Sequence, residues 1–117
     1  MKREIQHRTK QFAIEVWGLC AKFPHTREFN AYVNQLIRCS SSVAANYRSA
    51  CRAKSNADFI NKLKIVEEEA DESQFFLELI AEINTNDQLS FEINRLIKEA
   101  DEIVAIIVAS LKTLRTS

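Results

Sequence analysis

Carboxylates are the densest potentially chemical groups in the sequence, and they concentrate in VEEEADES at residues 66–73. Glu68 and Glu72 are four residues apart and would share one face of a helix. A di-metal site in a helical bundle needs acidic ligands on four helices and a histidine on two of them. The two histidines, His7 and His25, lie far from this run in the sequence. We therefore expect no metal ion and no bound cofactor, and interpret the run as a solvated or arginine-paired face.

Serines form a second cluster, in LIRCSSSVAANYRSACRAKS at residues 36–55. A nucleophilic serine needs a base within hydrogen-bonding reach, and both histidines precede this stretch, one near the start of the first helical pattern and one in a loop. On a helix, serine hydroxyls commonly bond to carbonyls of their own chain. We interpret these serines as packing residues. Because no nucleophile, base, metal set or phosphate loop can be named, we expect the protein not to be an enzyme.

The same stretch begins a basic cluster that continues beyond it, and its candidate nucleic-acid-binding residues are Arg48, Arg52, Lys54, Lys62 and Lys64. Arg48 and Arg52 are one helical turn apart and share a face. Arginine offers a planar fork that suits phosphate. Tyr47 falls on the core side of the helix, which leaves no obvious exposed aromatic to stack a base. We expect the protein to recognise the phosphates and the shape of a nucleic acid and to depend little on its base sequence.

Formal charge is zero, from 16 basic and 16 acidic residues, but the two halves of the chain differ. Residues 1–54 carry ten lysines and arginines against three acids, and residues 55–117 carry six against thirteen. A basic half attracts phosphate, which favours a nucleic acid as partner. The acidic half can equally pair with the basic half, inside the bundle or across a subunit contact, and the basic cluster can be an ordinary solubilising surface. The sequence leaves these alternatives open.

The elements that position these groups are expected to be helices. One glycine, Gly18, and one proline, Pro24, occur in 117 residues, and this is too few turn residues for a sheet with its hairpins. A chain of this length suits one compact domain, taken as residues 1–117. The sequence therefore predicts a few long helices with short connections.

The cysteines and the hydropathy pattern indicate where in the cell the protein is expected to lie. Cys20, Cys39 and Cys51 form no CxxC pair and sit on helical patterns, so we expect reduced, buried thiols. No segment reaches about 18 consecutive apolar residues, and closely spaced charges interrupt any signal-peptide pattern at the start. We expect a cytoplasmic protein without a membrane role.

Apolar residues recur at intervals of three, four and seven in four segments, as in helices that pack along their length. The first segment ends at Pro24, and a polar turn at residues 84–87 separates the third from the fourth. Ser55 or Asn56 is the expected N-cap of the third helix, with Asp58 in its first turn. Short loops place neighbouring helices antiparallel. The fold class predicted is all-α, an antiparallel up-down four-helix bundle. The expected core residues are Ile5, Phe12, Val16, Leu19, Phe23; Phe29, Val33, Leu36, Ser40, Val43, Tyr47, Ala50; Phe59, Leu63, Val66, Ala70, Ser73, Leu77, Ile80; Leu89, Ile93, Leu96, Ala100, Ile103, Ile107 and Leu114.

Small residues are expected where the second and third helices pack together. Ser40 and Ala44 fall on the core side of the second helix, and Ala70 and Ser73 fall at the same height on the third. Small side chains on both helices let the two backbones approach closely. The stretch of serines and alanines is therefore interpreted as a close helix crossing.

A polar contact is expected beside this crossing, because Asn46 and Glu69 flank core positions on the two facing helices. The residues proposed for it are Asn46, Glu69 and Glu72, with Arg48 as a further partner. Such a contact would fix the register of the helices at some cost in stability. We interpret it as structural rather than as a binding site.

Several large apolar residues do not fit one stripe per helix, namely Trp17, Ile60, Phe75, Phe76, Ile106 and Val108. A small bundle rarely leaves a second apolar face in water. We therefore expect homo-oligomerisation, with Trp17, Phe75 and Phe76 as candidate interface positions. The alternative is that loose packing buries them within the monomer.

One long stretch, SSSVAANYRSACRAKSNADFINKLKIVEEEADESQFFLELI at residues 40–80, resembles the signature region of a family of small bacterial four-helix bundle proteins, the 23S rRNA intervening-sequence proteins. VWGLCAKFP at residues 16–24 is similar to the family's first helix and loop. The pattern comprises Ser42, Asn46, the Arg/Lys run, Asp58-Phe59, Lys62-Leu63 and residues 69–72. Two positions depart from it: Ala44 stands where many relatives have a proline, and Phe76 where they often have a tryptophan.

The resemblance implies a cytoplasmic bundle that assembles into rings, commonly pentamers, and that some bacteria encode within insertions of the large ribosomal RNA gene. More distantly, the fold is similar to that of an accessory protein of diversity-generating retroelements, which binds a reverse transcriptase and RNA. The partners that the resemblance suggests are therefore the chain itself, RNA and, by this distant analogy, a protein such as a reverse transcriptase.

The function predicted is that of a non-enzymatic, homo-oligomeric, RNA-associated protein that binds the phosphate backbone through its basic patch. The alternative is a protein-interaction scaffold in which the charges serve subunit and partner contacts, with no direct role for nucleic acid.

Overall fold

The computed structural model describes the backbone of residues 1–116 and the side chains of residues 1–114. Across that backbone there are four α-helices and no β-strand: α1 (Lys2–Cys20), α2 (Arg27–Ala50), α3 (Asn56–Ile83) and α4 (Asp87–Thr116). The molecule is elongated, with extents of 47 × 21 × 19 Å. The all-α class predicted from the scarcity of glycine and proline is confirmed.

Side-chain caps fix the starts of α2 and α3. The Thr26 hydroxyl accepts a hydrogen bond from the backbone N–H of Phe29 at 3.1 Å, and the Ser55 hydroxyl accepts one from the N–H of Asp58 at 3.1 Å. Each hydroxyl satisfies one of the N–H groups that the first turn of a helix leaves unpaired. Of the two N-caps proposed for the third helix, Ser55 is the one that forms. The caps explain why loops of only a few residues suffice.

The core is one cluster of buried apolar residues drawn from all four helices. Each helix packs on its neighbours in sequence, α1 also packs on α4, and within residues 1–116 the pairs α1 with α3 and α2 with α4 do not pack. This pattern of neighbours is consistent with a bundle. The predicted stripes hold along all four helices: most of their residues are buried, and Phe29, Val33, Phe59 and Leu114 are partly buried against the same cluster.

Small residues do line the α2–α3 contact, although Ala44 is not among them. Ser40, Ala70 and Ser73 are buried, and the Ser73 hydroxyl donates to its own helix at the Glu69 carbonyl, 2.8 Å away. Its oxygen lies 3.2 Å from the sulfur of Cys39 on α2. Burial raises the pKa of the Cys39 thiol, so the sulfur stays protonated and packs as a small apolar group. Cys39 of α2 and Ser73 of α3 therefore meet directly where these two helices pack together.

The expected polar contact across α2 and α3 forms with a different α2 residue. The Asn46 amide donates within its own helix, to the carbonyl and hydroxyl oxygens of Ser42 at 2.9 and 2.8 Å. Arg38 instead bridges to Glu69 at 3.1 Å and Glu72 at 2.7 Å. Of the residues proposed for this contact, Glu69 and Glu72 make it and Asn46 does not, because the long Arg38 side chain reaches acids that the short asparagine amide does not.

Two more arginines bridge α1 and α4. The Arg8 guanidinium donates to both carboxylate oxygens of Glu99, at 2.7 and 2.8 Å, and lies 3.7 Å from Glu102. Arg95 on α4 contacts Glu15 on α1 and Glu92 on its own helix. Hydrogen bonds to the carboxylates raise the pKa of both guanidinium groups. Ion pairs this exposed add little to stability. We therefore interpret them as contacts that fix the register of α1 against α4.

The three thiols are free. Cys20 and Cys39 are buried and Cys51 is partly buried. Burial raises the pKa of the Cys20 thiol to about 12.

No helix within the described residues is long and apolar enough to cross a membrane. The same residues contain no group of three or more histidine, cysteine or acidic side chains placed to hold a metal ion.

Candidate nucleic-acid interface

A groove of about 570 Å³ runs along the surface between α1 and α2. Small residues form much of its lining, and three cations, one glutamine and one large apolar residue complete it. The lining residues are Gln6, Lys10, Ala13, Ile14, Ser41, Ala44, Ala45, Arg48 and Arg52. Ala44, which we expected in the core, lies here instead. The alanines and Ser41 keep the groove open because their side chains are short.

The helical repeat explains how the three cations come together. Arg48 and Arg52 are four residues apart and so project from one side of α2. Ser41, Ala44 and Ala45 precede them on the same side, which faces α1. On α1, Gln6, Lys10 and Ala13 are spaced by four and three residues and make the opposite wall.

All the charged residues that line the groove are positive. Lys10, Arg48 and Arg52 are exposed, no acidic residue lines the groove, and none of the three forms an ion pair with any described residue. This differs from Arg8, Arg38 and Arg95, which are all held by carboxylates. Three unpaired cations around a concave, largely uncharged floor make a site for an anion with several negative charges.

The remaining predicted basic residues lie elsewhere. Lys54 is in the α2–α3 turn, where its backbone N–H donates to the Asp58 carboxylate at 3.2 Å. The Lys62 ammonium pairs with the same carboxylate at 3.1 Å. These two contacts, the Lys54 N–H first, lower the pKa of Asp58. Neither Lys54 nor Lys62 lines the α1–α2 groove that holds Arg48 and Arg52.

Lys64 lies in acidic surroundings. It lines a depression between α3 and α4 together with Glu67, Glu68, Asp71 and Val104. A phosphate approaching Lys64 would meet three carboxylates, so this residue does not belong to the basic groove. Of the five cations proposed from the sequence, Arg48 and Arg52 line the α1–α2 groove, and Lys54, Lys62 and Lys64 do not.

Lys10 is the residue that sequence reasoning missed. The N-terminal half was recognised as basic, but every candidate was taken from the second and third segments. The signal was present: Gln6, Lys10 and Ala13 have helical spacing and fall off the α1 core stripe of Phe12 and Val16. Which neighbouring helix that side faces depends on how the helices are arranged, and spacing within one helix does not specify this.

The three candidate interface aromatics have different environments. Phe76 is partly buried and its ring centroid lies 6.1 Å from that of Tyr32. Phe75 is 52% exposed and meets Phe76 edge-on at 5.6 Å. Trp17 is 66% exposed. A further exposed aromatic, Phe91 on α4, is 79% exposed and was not among the residues proposed from the sequence.

These features define the class of protein: a small all-α protein of four packed helices with an unpaired basic groove on one face. The chain belongs to the 23S rRNA-intervening sequence protein family, whose model matches residues 1–109. It is similar to a crystal structure described as a protein with unknown function from the S23 ribosomal protein family of Bacteroides thetaiotaomicron VPI-5482. The two are 27% identical with a TM-score of 0.84, over 96% of this chain and 99% of the other. No match was found among curated proteins.

Proposed function

We propose that the protein is a non-enzymatic, cytoplasmic, homo-oligomeric RNA-associated protein that binds the RNA phosphate backbone in the α1–α2 groove. The observation that carries this proposal is the convergence of Lys10, Arg48 and Arg52, without ion-pair partners among the described residues, on a groove with no acidic lining. Membership of a family named for the 23S rRNA intervening sequence supports RNA as the polyanion. The free thiols support a reducing compartment.

The groove suits a phosphate chain better than a single small anion. Arg48 and Arg52 are about 6 Å apart along the axis of α2, at about 1.5 Å per residue, which is close to the spacing of successive phosphates in an extended strand. Lys10 stands on the opposite wall and can neutralise the same chain from the other side. Arginine adds paired hydrogen bonds to this charge attraction. The lining offers few side chains for reading base edges, so the proposed binding depends little on sequence.

The double variant Arg48→Ala/Arg52→Ala is expected to bind RNA about tenfold more weakly than the wild type near 0.15 M salt. Each lost phosphate contact removes about 0.7 from the slope of log affinity against log salt for a single strand, so the slope should fall by about 1.4. The measurement is fluorescence anisotropy with a labelled oligoribonucleotide across a salt series. The protein concentrations are chosen so that the wild type and the double variant have the same oligomeric mass.

The matched control is Arg27→Ala/Lys64→Ala, which removes the same charge from two exposed positions outside the groove. It should keep both the affinity and most of the salt slope. Equal losses in the two double variants would show that net charge rather than the groove attracts RNA. If the wild type does not bind RNA near 0.15 M salt, the proposal is wrong and the groove serves a protein contact.

Homo-oligomerisation is supported by an aromatic cluster on the α2–α3 side. Tyr32, Phe76 and Phe75 form a continuous series of ring contacts that begins against the core and ends at a half-exposed ring. Acidic residues surround Phe75 in the sequence, at Asp71, Glu72 and Glu78. An apolar centre with a charged rim is the composition of a subunit interface. We propose that Phe75 packs against a second copy, in the pentameric ring that the sequence resemblance implies.

Phe75→Glu is expected to lower the assembled mass from about five times the 13.5 kDa of one chain towards that of a single chain. The substitution places a charge at the centre of the proposed apolar contact. Light scattering after size-exclusion chromatography measures the mass. The control Gln74→Glu adds the same charge at the neighbouring position and should leave the assembly intact. A wild type that is monomeric, or a Phe75→Glu variant of unchanged mass, would refute this interface.

We also infer that the four helices run alternately up and down. Arg38 contacts Glu69 and Glu72, whereas Tyr32, earlier on α2, contacts Phe76, later on α3. On α1 and α4, Arg8 contacts Glu99 and Glu102, whereas Glu15 contacts Arg95. In both pairs, moving forward along one helix means moving backward along its partner, which supports an antiparallel arrangement.

A further inference from the structure

We propose that Trp17 is a stacking platform for a base of single-stranded RNA whose phosphates occupy the α1–α2 groove. This inference rests on the proposed RNA-binding function and makes it specific: the ligand is an unpaired strand, and one aromatic side chain contributes affinity that does not depend on salt.

The position of Trp17 follows from the helical repeat of α1. Trp17 lies three residues beyond Ile14 and seven beyond Lys10, and both of these line the groove. Seven residues make about two helical turns, so Trp17 projects from the same side of α1, about 10 Å along the axis from Lys10 and about 5 Å from Ile14. The ring therefore lies on the groove side of α1, beyond Ile14 and two turns from Lys10.

The indole is largely exposed to solvent in the monomer. Its side chain is 66% exposed, and the aromatic ring contacts among the described residues involve Phe23, Phe29, Tyr32, Phe75 and Phe76 but not Trp17. Ile14, at 51% exposure, extends the same apolar surface towards the groove. A large flat ring left in water beside unpaired cations is the combination that binds single strands, in which bases stack on aromatics while cations hold the backbone.

This combination favours an unpaired strand over a duplex. In an A-form helix the bases are stacked inside the double strand, and proteins reach mainly phosphates and 2′-hydroxyls. A duplex would leave Trp17 without a base, so only the electrostatic part of the binding would remain. A single strand can turn one base out onto the indole while phosphates further along the strand lie near Lys10, Arg48 and Arg52.

The sequence contains one tryptophan, so its fluorescence reports on this site alone. The test titrates the full chain with an unstructured oligoribonucleotide of about 12 nucleotides, within the usual range of single-strand site sizes, and with the same strand annealed to its complement. The single strand is expected to quench the emission, with the midpoint that anisotropy gives for binding. The duplex is expected to bind more weakly and to leave the emission nearly unchanged.

Variants separate stacking from charge. Trp17→Ala should weaken single-strand binding about tenfold, the cost of losing one aromatic stack, with the salt slope of the wild type. Trp17→Phe keeps a ring and should restore most of the affinity. Phe91→Ala removes another highly exposed aromatic and should bind as the wild type does. Arg48→Ala/Arg52→Ala, in contrast, should reduce the salt slope.

Three results would overturn this inference. If the Arg48→Ala/Arg52→Ala variant loses RNA affinity but Trp17 emission and the affinity of Trp17→Ala stay unchanged, the proposed function stands and the stacking role is wrong. If the emission changes with protein concentration in the absence of RNA, a second copy covers Trp17. If neither RNA form binds, the proposed function fails and this inference fails with it.

Discussion

Phe12→Ala is expected to lower the free energy of unfolding by about 3–5 kcal/mol, the usual cost of removing a buried phenyl ring. Phe12 is 1% exposed and lies on the core stripe of α1, between the buried residues Thr9 and Val16. Domains of this size are stable by only about 5–15 kcal/mol, so the change removes a large share of the total. Urea unfolding followed by circular dichroism should show the midpoint fall by about 2 M.

Phe91→Ala is the matched control, because it is the same substitution at a ring that is 79% exposed. An exposed position is expected to change the free energy of unfolding by less than about 0.5 kcal/mol. Both variants must be compared at one protein concentration, since assembly stabilises the folded chain by mass action. A large, concentration-dependent loss in Phe91→Ala would place Phe91 in a subunit contact, and a small loss in Phe12→Ala would contradict the described core.

The core was predictable from the sequence because the spacing of apolar residues along each helix indicates which face of that helix is buried. Intervals of three and four among apolar residues identified almost every buried position, including Ser40 and Ser73, whose hydroxyls bond to their own helices. Thr9 also has the spacing of the α1 stripe, four residues after Ile5 and three before Phe12, but was not among the predicted core residues; it is buried with its hydroxyl bonded to the Gln6 carbonyl at 3.1 Å. The pattern within one helix predicts which of its residues are buried, but it does not predict which neighbouring helix covers them.

The candidate site was less predictable because it is made by two helices. Arg48 and Arg52 were found from their spacing, but Lys10 is distant in sequence and joins them only through the packing of α1 on α2. Lys64 was wrongly grouped with them because nearness in sequence across a turn does not give nearness on a surface. The same reason explains the polar contact: Glu69 and Glu72 were identified, whereas their partner Arg38 was not.

Ala70→Leu is expected to destabilise the protein by about 1–3 kcal/mol, because a packed core resists the three carbon atoms that the substitution adds. Ala70 is fully buried, and the neighbouring Ser73 hydroxyl already lies 3.2 Å from the Cys39 sulfur across the crossing. Leucine and alanine have similar helix propensities, so the loss would come from packing. Urea unfolding of the two forms at equal concentration measures it.

Ala105→Leu is the control for Ala70→Leu, since it makes the same change at an exposed position of α4 and should alter the free energy of unfolding by less than about 0.5 kcal/mol. If Ala70→Leu is as stable as Ala105→Leu, the core around Ala70 has spare volume and an alanine is not needed there. If only Ala70→Leu is destabilised, the core is closely packed around this small side chain. The alanines of α2 have a different role, since Ala44 and Ala45 line the side that faces α1 and keep it open as the basic groove.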